Sequence, residues 1–216
     1  VNIHSQRATN ISAGTRLESC AKAALPAWSG IDDNGLMVEV GLGGAEAFST
    51  LVDRHSSALY RVARRMLGDG GEAEDVVQEC FARLWQNASR WTPSGAGLVG
   101  WLHRVTMNLC FDRKRRVQMV VMPNVPDRPD EAPLADHLLQ MDQTQRAISG
   151  ALADLPERYR AALVLCYYEG LTNALAAEIL DLNIKAMESL LFRARRQLRD
   201  LLQARGISCR DLDMPA

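Results

Sequence analysis

The chain has 216 residues, of which 47% are hydrophobic and 24% charged, with a formal net charge of -1. That length allows one large domain or two small ones, and that composition supports a buried core, which excludes a wholly disordered chain. The near-neutral balance points to no partner by itself, so the distribution of charge along the chain has to supply one.

The five cysteines, Cys20, Cys80, Cys110, Cys166 and Cys209, include no C-x-x-C pair. An odd, scattered set fits small core residues in a reducing cytoplasm better than a disulfide framework. A run of 18 apolar residues is missing, so no membrane insertion is expected. The first residues lack a compact apolar segment behind basic ones, so no signal peptide is expected either. His4, His55, His103 and His137 lie far apart, without metal-ligand spacing. Gly41-Leu-Gly-Gly44 matches neither a phosphate loop nor a dinucleotide fingerprint. An enzyme, a metal and a cofactor are therefore not expected.

Residues 1–43 are polar and without a sustained period, and are expected to form a flexible extension. Val1 is an unusual first residue, and Met37 lies just ahead of the first strong helix. Residues 1–36 are thus either a true extension or a product of start-site choice. The spacing of Phe48, Leu51, Val52, His55, Leu59, Val62 and Met66 predicts a helix over 45–67, ended by Gly68-Asp-Gly-Gly71. The next helix carries AEDVVQECFARLW, residues 73–85. Val76, Val77, Cys80, Phe81, Leu84 and Trp85 make its apolar stripe. Asp75, Gln78, Glu79 and Gln86 make a separate acidic and amide face. After a loop over 92–97, a third helix covers 98–116.

VPDRPDEAP, residues 125–133, holds three prolines among acids and cannot continue a helix. Residues 118–140 therefore read as an acidic, Pro-rich linker. Helices resume near Met141, and Pro156 suits the first turn of the next one, which runs to Gly170. Two further helices, 172–180 and 184–205, flank the turn Asp181-Leu-Asn183. That is the layout of a helix-turn-helix, with Ala176, Ala177, Ile179, Leu182, Met187, Leu190 and Leu191 between the two. The fold expected is all-α: a helical domain over 44–117, the linker, a second helical domain over 141–206, and a tail over 207–216.

Positive charge collects on two helices. Arg104, Arg113, Lys114, Arg115 and Arg116 crowd the third, and Lys185, Arg193, Arg195, Arg196 and Arg199 the last. Phosphates attract such faces, although each cluster alone also fits a solvated surface. Trp101 and Asn108 accompany the first cluster. Trp101 suits stacking on an unpaired base and equally suits the core, and Asn108 suits a base edge.

Taken together, four stretches resemble the bacterial RNA polymerase sigma factors of the extracytoplasmic-function (ECF, group 4) kind, sigma-24-like. AEDVVQECFARLW resembles region 2.2 of that family, and WLHRVTMNLCFDRKRR regions 2.3 and 2.4. LADLPERYRAALVLCYYEGLT resembles region 4.1, and NALAAEILDLNIKAMESLLFRARRQLR region 4.2. The resemblance implies that Asp75, Gln78 and Glu79 bind the β′ clamp helices of core RNA polymerase, and that region 4 meets the β flap. It further implies that Trp101, Arg104, Asn108, Arg113, Arg115 and Arg116 engage the minus-ten promoter DNA, an extruded base sitting against the 92–100 loop. Lys185, Glu188, Ser189 and Arg193 would face the major groove at the minus-thirty-five element, with Arg195 and Arg196 on phosphates. An anti-sigma factor wedged between the domains would hold the protein inactive. Other readings are a sigma-like module that only titrates an anti-sigma factor, and a stand-alone helix-turn-helix repressor.

Three departures from the family pattern stand out. Leu175 replaces an acidic residue and removes half of a capping box. Asp181 replaces the glycine of the turn, a place where Asp tolerates left-handed geometry. Lys185-Ala-Met-Glu188 replaces a more basic stretch and alters the chemistry offered to the groove.

Overall fold

The computed structural model describes residues 30–93, 95–120 and 143–207, with side chains described over 30–93, 95–116 and 145–207. Expectations for residues 1–29, for the linker over 121–140 and for the tail over 208–216 lie outside the described residues. All regular structure among the described residues is helical. None of those helices is long and apolar enough to cross a membrane.

The first helix, α1 (Asp33–Gly41), corrects the expectation of an unstructured stretch up to residue 43. Asp32 caps it, its side chain accepting from the Gly35 N–H at 2.9 Å. Leu36, Met37 and Val40 are buried in the core, each worth about 1.5–3 kcal/mol of transfer as an upper figure. Asp33 anchors the helix to α2 by an ion pair with Arg54 at 3.0 Å and a 2.9 Å hydrogen bond shared with His55 Nε2.

Helix α2 (Ala45–Leu67) turns Leu51, Leu59, Val62, Ala63 and Met66 inward. Gly68 stops it in the left-handed region at φ 86°, its N–H donating to the Arg64 carbonyl. Asp69 caps α3 (Gly70–Asn87) by accepting from the Glu72 N–H at 2.8 Å. Val76, Cys80, Phe81 and Leu84 of α3 are buried as the apolar stripe requires. Val77 is only half-buried, and Trp85, predicted for the same stripe, is exposed with its ring edge-on to Phe48 at 5.0 Å. Helix α4 (Gly97–Val120) outruns the expected end at Arg116 and takes in the first residues assigned to the linker. Its Leu98, Leu102, Met107, Leu109 and Cys110 complete the first domain.

The second domain begins with α5 (Gln143–Ala153) and α6 (Glu157–Leu163), the latter entered through Pro156. From Val164 to Tyr168 the backbone widens to a π-helical turn, with Glu169 N–H donating to the Val164 carbonyl five residues back. Thr172 caps α7 (Asn173–Ile179), accepting from the Leu175 N–H at 3.2 Å, which is the half of the capping box that survives Leu175. Asp181 takes the left-handed turn at φ 55°. Asn183 then caps α8 (Ile184–Ala204), accepting from the Ala186 N–H at 2.8 Å.

The two domains pack directly on one another. Arg160 is 5% exposed and donates to the Met66 carbonyl at the end of α2 at 2.7 Å. It also donates to the carbonyls of Leu152 at 2.8 Å, Leu155 at 3.2 Å, and Ala153. Arg61 of α2 pairs with Glu169 at 3.0 Å. The guanidinium of Arg65 lies 4.2 Å above the centre of the Tyr168 ring.

Candidate functional site

Three helix faces carry the residues singled out from the sequence. On α3, Asp75 and Gln78 are exposed, opposite the buried stripe. Glu79 is half-exposed and already engaged, pairing with Arg83 at 2.6 Å and with Arg113 of α4 at 3.8 Å. Beside this face, between α2 and α3, lies an open depression of about 500 Å³ lined by Ser56, Tyr60, Arg61, Glu74, Val77 and Gln78.

On α4, Trp101, Arg104, Asn108, Arg115 and Arg116 fall on one side of the helix by their spacing. Arg104, Asn108, Arg115 and Arg116 are exposed, and Arg115 pairs with Asp112 at 3.5 Å. Trp101 is half-buried, edge-on to Trp91 with ring centres 6.0 Å apart. It therefore serves the packing and the surface at once. Arg113 stands apart from that group. It leans on Glu79, and its Nη1 is buried without a hydrogen-bond partner. Below the face, His103 is 4% exposed and shares a 2.8 Å hydrogen bond between Nδ1 and the Val99 carbonyl. Burial pulls its imidazole below the usual range.

The loop before α4 is covered by the second domain. The Ala96 N–H donates to Oε1 of Glu178 on α7 at 3.2 Å, and Arg104 donates to the Glu178 carbonyl. A Cβ on Gly95 would stand 2.7 Å from the Glu178 carboxylate, and one on Gly100 3.2 Å from Cδ1 of Leu175. Leu175, which breaks the capping box, is thus a packing residue between the domains. Neither Glu178 nor this role of Leu175 was legible in the sequence, because both partners lie over 70 residues away in the chain.

On α8 the division is sharp. Met187, Leu190, Leu191, Ala194, Leu198 and Leu202 are buried. Lys185, Glu188, Ser189, Arg193 and Arg196 are exposed along the opposite side, and Arg195 is half-exposed at its margin. Phe192, 63% exposed, belongs to the same outward stripe, seven residues from Lys185. Polarity along the sequence does not mark it; only the helical period, counted in threes and fours from Lys185, reaches it. Glu188, Ser189, Phe192 and Arg193 line a shallow depression of about 540 Å³.

Residues 51–119 match the family description Sigma-70 region 2, and residues 145–198 match Sigma-70, region 4. The ECF RNA polymerase sigma factor SigL of Mycobacterium tuberculosis (strain ATCC 25618 / H37Rv) is 35% identical over 179 residues, 78% of this chain and 97% of SigL. ECF sigma factor SigE of Mycolicibacterium smegmatis is 35% identical over 160 residues, 72% of this chain. That alignment spans 62% of SigE, so the chain covers less than two thirds of that relative. Among solved structures, CnrH in complex with the cytosolic domain of CnrY superposes with a TM-score of 0.60 at 26% identity, over 80% of this chain and 97% of CnrH. RpoE from Bartonella quintana, solved with the anti-sigma factor NepR, shares the fold with a TM-score of 0.58 at 22% identity, over 74% of this chain and 98% of RpoE. With both regions matched in order on an all-helical two-domain fold, the chain belongs to the ECF RNA polymerase sigma factors.

Proposed function

We propose that this sigma factor docks on the β′ clamp helices of core RNA polymerase through Asp75, Gln78 and Glu79 of α3, and on the β flap through its second domain. Helix α4 and the loop before it then open and read the minus-ten element. Arg104, Arg115 and Arg116 hold phosphates, Asn108 faces a base, and Trp101 borders the captured one. Arg113, tied to Glu79, couples the polymerase face to the DNA helix. The outward stripe of α8 enters the major groove at the minus-thirty-five element. The reading rests above all on that stripe: a two-sided helix behind a tight turn, buried on one side and cationic on the other, is built to lie on duplex DNA.

Chemistry in this scheme belongs to the polymerase, and the chain supplies promoter choice in the cytoplasm beside it. Arg104 and the Ala96 amide are both taken by Glu178. Promoter capture therefore requires α7 to leave the α4 loop. With the domains packed directly on one another, an anti-sigma factor need not wedge between them as the family resemblance implies: one that favours the packed arrangement would hold the protein inactive.

The test is run-off transcription of fragmented genomic DNA from the source organism, with the full chain added to sigma-free core polymerase. Discrete new transcripts are expected, and Asp75→Ala/Gln78→Ala should lose them together with core binding. Neither transcripts nor core binding from the unaltered chain would overturn the reading in favour of a module that only titrates a partner, or of a repressor.

A further inference from the structure

The outward stripe of α8 is not a plain phosphate-binding face. Glu188 is exposed amid Lys185, Arg193 and Arg196. It forms no ion pair with them among the described residues, and Arg193 donates instead to the Ser189 carbonyl at 3.2 Å. A bare carboxylate turned to DNA is repelled unless it accepts a hydrogen bond there. In the major groove only the amino groups of cytosine and adenine can donate one. Adenine sets an N7 acceptor beside its amino group, which repels a carboxylate, whereas cytosine presents the amino group alone. Four residues on, Phe192 holds a large ring 63% exposed. The apolar feature of the major groove is the thymine methyl.

We propose that Glu188 and Phe192 act as a pair that reads a cytosine and a thymine in the minus-thirty-five element. Four residues of helix rise about 6 Å. Successive base pairs lie about 3.4 Å apart, so the two bases fall within two steps of each other. Lys185, Arg193, Arg195 and Arg196 around the pair select duplex DNA as the occupant of this face and offset the charge of Glu188. Glu188 then works chiefly by exclusion: a site without the cytosine leaves its carboxylate unpaired against the groove.

This inference rests on the promoter-binding reading, and the experiment separates the two. Holoenzyme formed from the full chain and core polymerase selects duplexes from a pool randomised over the minus-thirty-five element. Unaltered chain, Glu188→Ala and Phe192→Ala are compared. Both side chains are exposed, so the variants keep the fold, as circular dichroism will verify. The unaltered chain should enrich a cytosine with a thymine within two base pairs. Glu188→Ala should lose roughly tenfold of the preference for cytosine over the other bases, chiefly because binding to sites without the cytosine rises once the negative charge has gone. Phe192→Ala should lose the preference for thymine over deoxyuridine, which lacks only the methyl group. A cytosine preference undiminished in Glu188→Ala, or an enriched element with no cytosine, overturns the pairing and leaves promoter recognition standing. Failure of the unaltered holoenzyme to enrich any duplex overturns promoter recognition itself.

Discussion

Arg160→Met tests whether one buried guanidinium holds the two domains together. The side chain is 5% exposed and serves four carbonyls, those of Met66, Leu152, Ala153 and Leu155. Burial pulls its pKa down, while the nearby Glu157 and Asp154 oppose that shift. Charge-assisted hydrogen bonds are each worth about 1.5–3 kcal/mol net, but desolvating the guanidinium offsets several kcal/mol of their sum. Met fills most of the space and leaves the carbonyls without a donor, although the Leu152 carbonyl keeps the Leu155 N–H at 3.2 Å. A net loss of about 3 kcal/mol follows, because each buried carbonyl left without a donor costs about 1–3 kcal/mol while relief of the guanidinium's desolvation returns several. For a chain of this size that lowers the melting midpoint by roughly 6–12 °C. Of the four carbonyls, only that of Met66 belongs to the first domain. Scanning calorimetry should therefore show a single transition for the unaltered protein and a split or broadened one for the variant. A midpoint shift below about 2 °C with an unsplit transition would mean that desolvation cancels the four bonds and that Arg160 does not hold the domains together.

Other consequences can be checked separately. Gly100→Ala would drive a Cβ into that of Ala96 and within 3.2 Å of Leu175 Cδ1. It should cost about 1–3 kcal/mol in urea denaturation, and Leu175→Ala in the same chain should return part of that loss. Burial pushes the Cys80 thiol up to about 11 and the Cys110 thiol up to about 12. In a Cys20→Ser/Cys209→Ser background, an aromatic disulfide reagent should label the half-buried Cys166, whose thiol burial also pushes up, well ahead of the other two, which react only on unfolding. His103 resists protonation in the fold, so the unfolded chain binds the extra proton as pH falls through about 6.5. Stability should therefore decline as pH falls below about 6.5, and His103→Gln should flatten that part of the profile in denaturation titrations.

The local structure was largely written in the residues. The spacing of Phe48 to Met66 and the glycine at 68 bound α2 at the residues observed, because an apolar period and a left-handed stop are local properties. The helix-turn-helix was equally legible: Thr172, Asp181 and Asn183 each do a job that depends on a few neighbours only. Helix α1 was missed for the converse reason. Nine residues are too few to hold a helix in water, and this one is fixed by burying Leu36, Met37 and Val40 on the first domain. The basic and acidic faces could be named in advance, but not what already occupies them. Glu178 over the α4 loop, Glu79 on Arg113 and Arg160 under Met66 join residues 34 to 94 positions apart. Charge and periodicity along a chain determine which side of a helix is wet; which distant group meets that side is decided only when the domains pack.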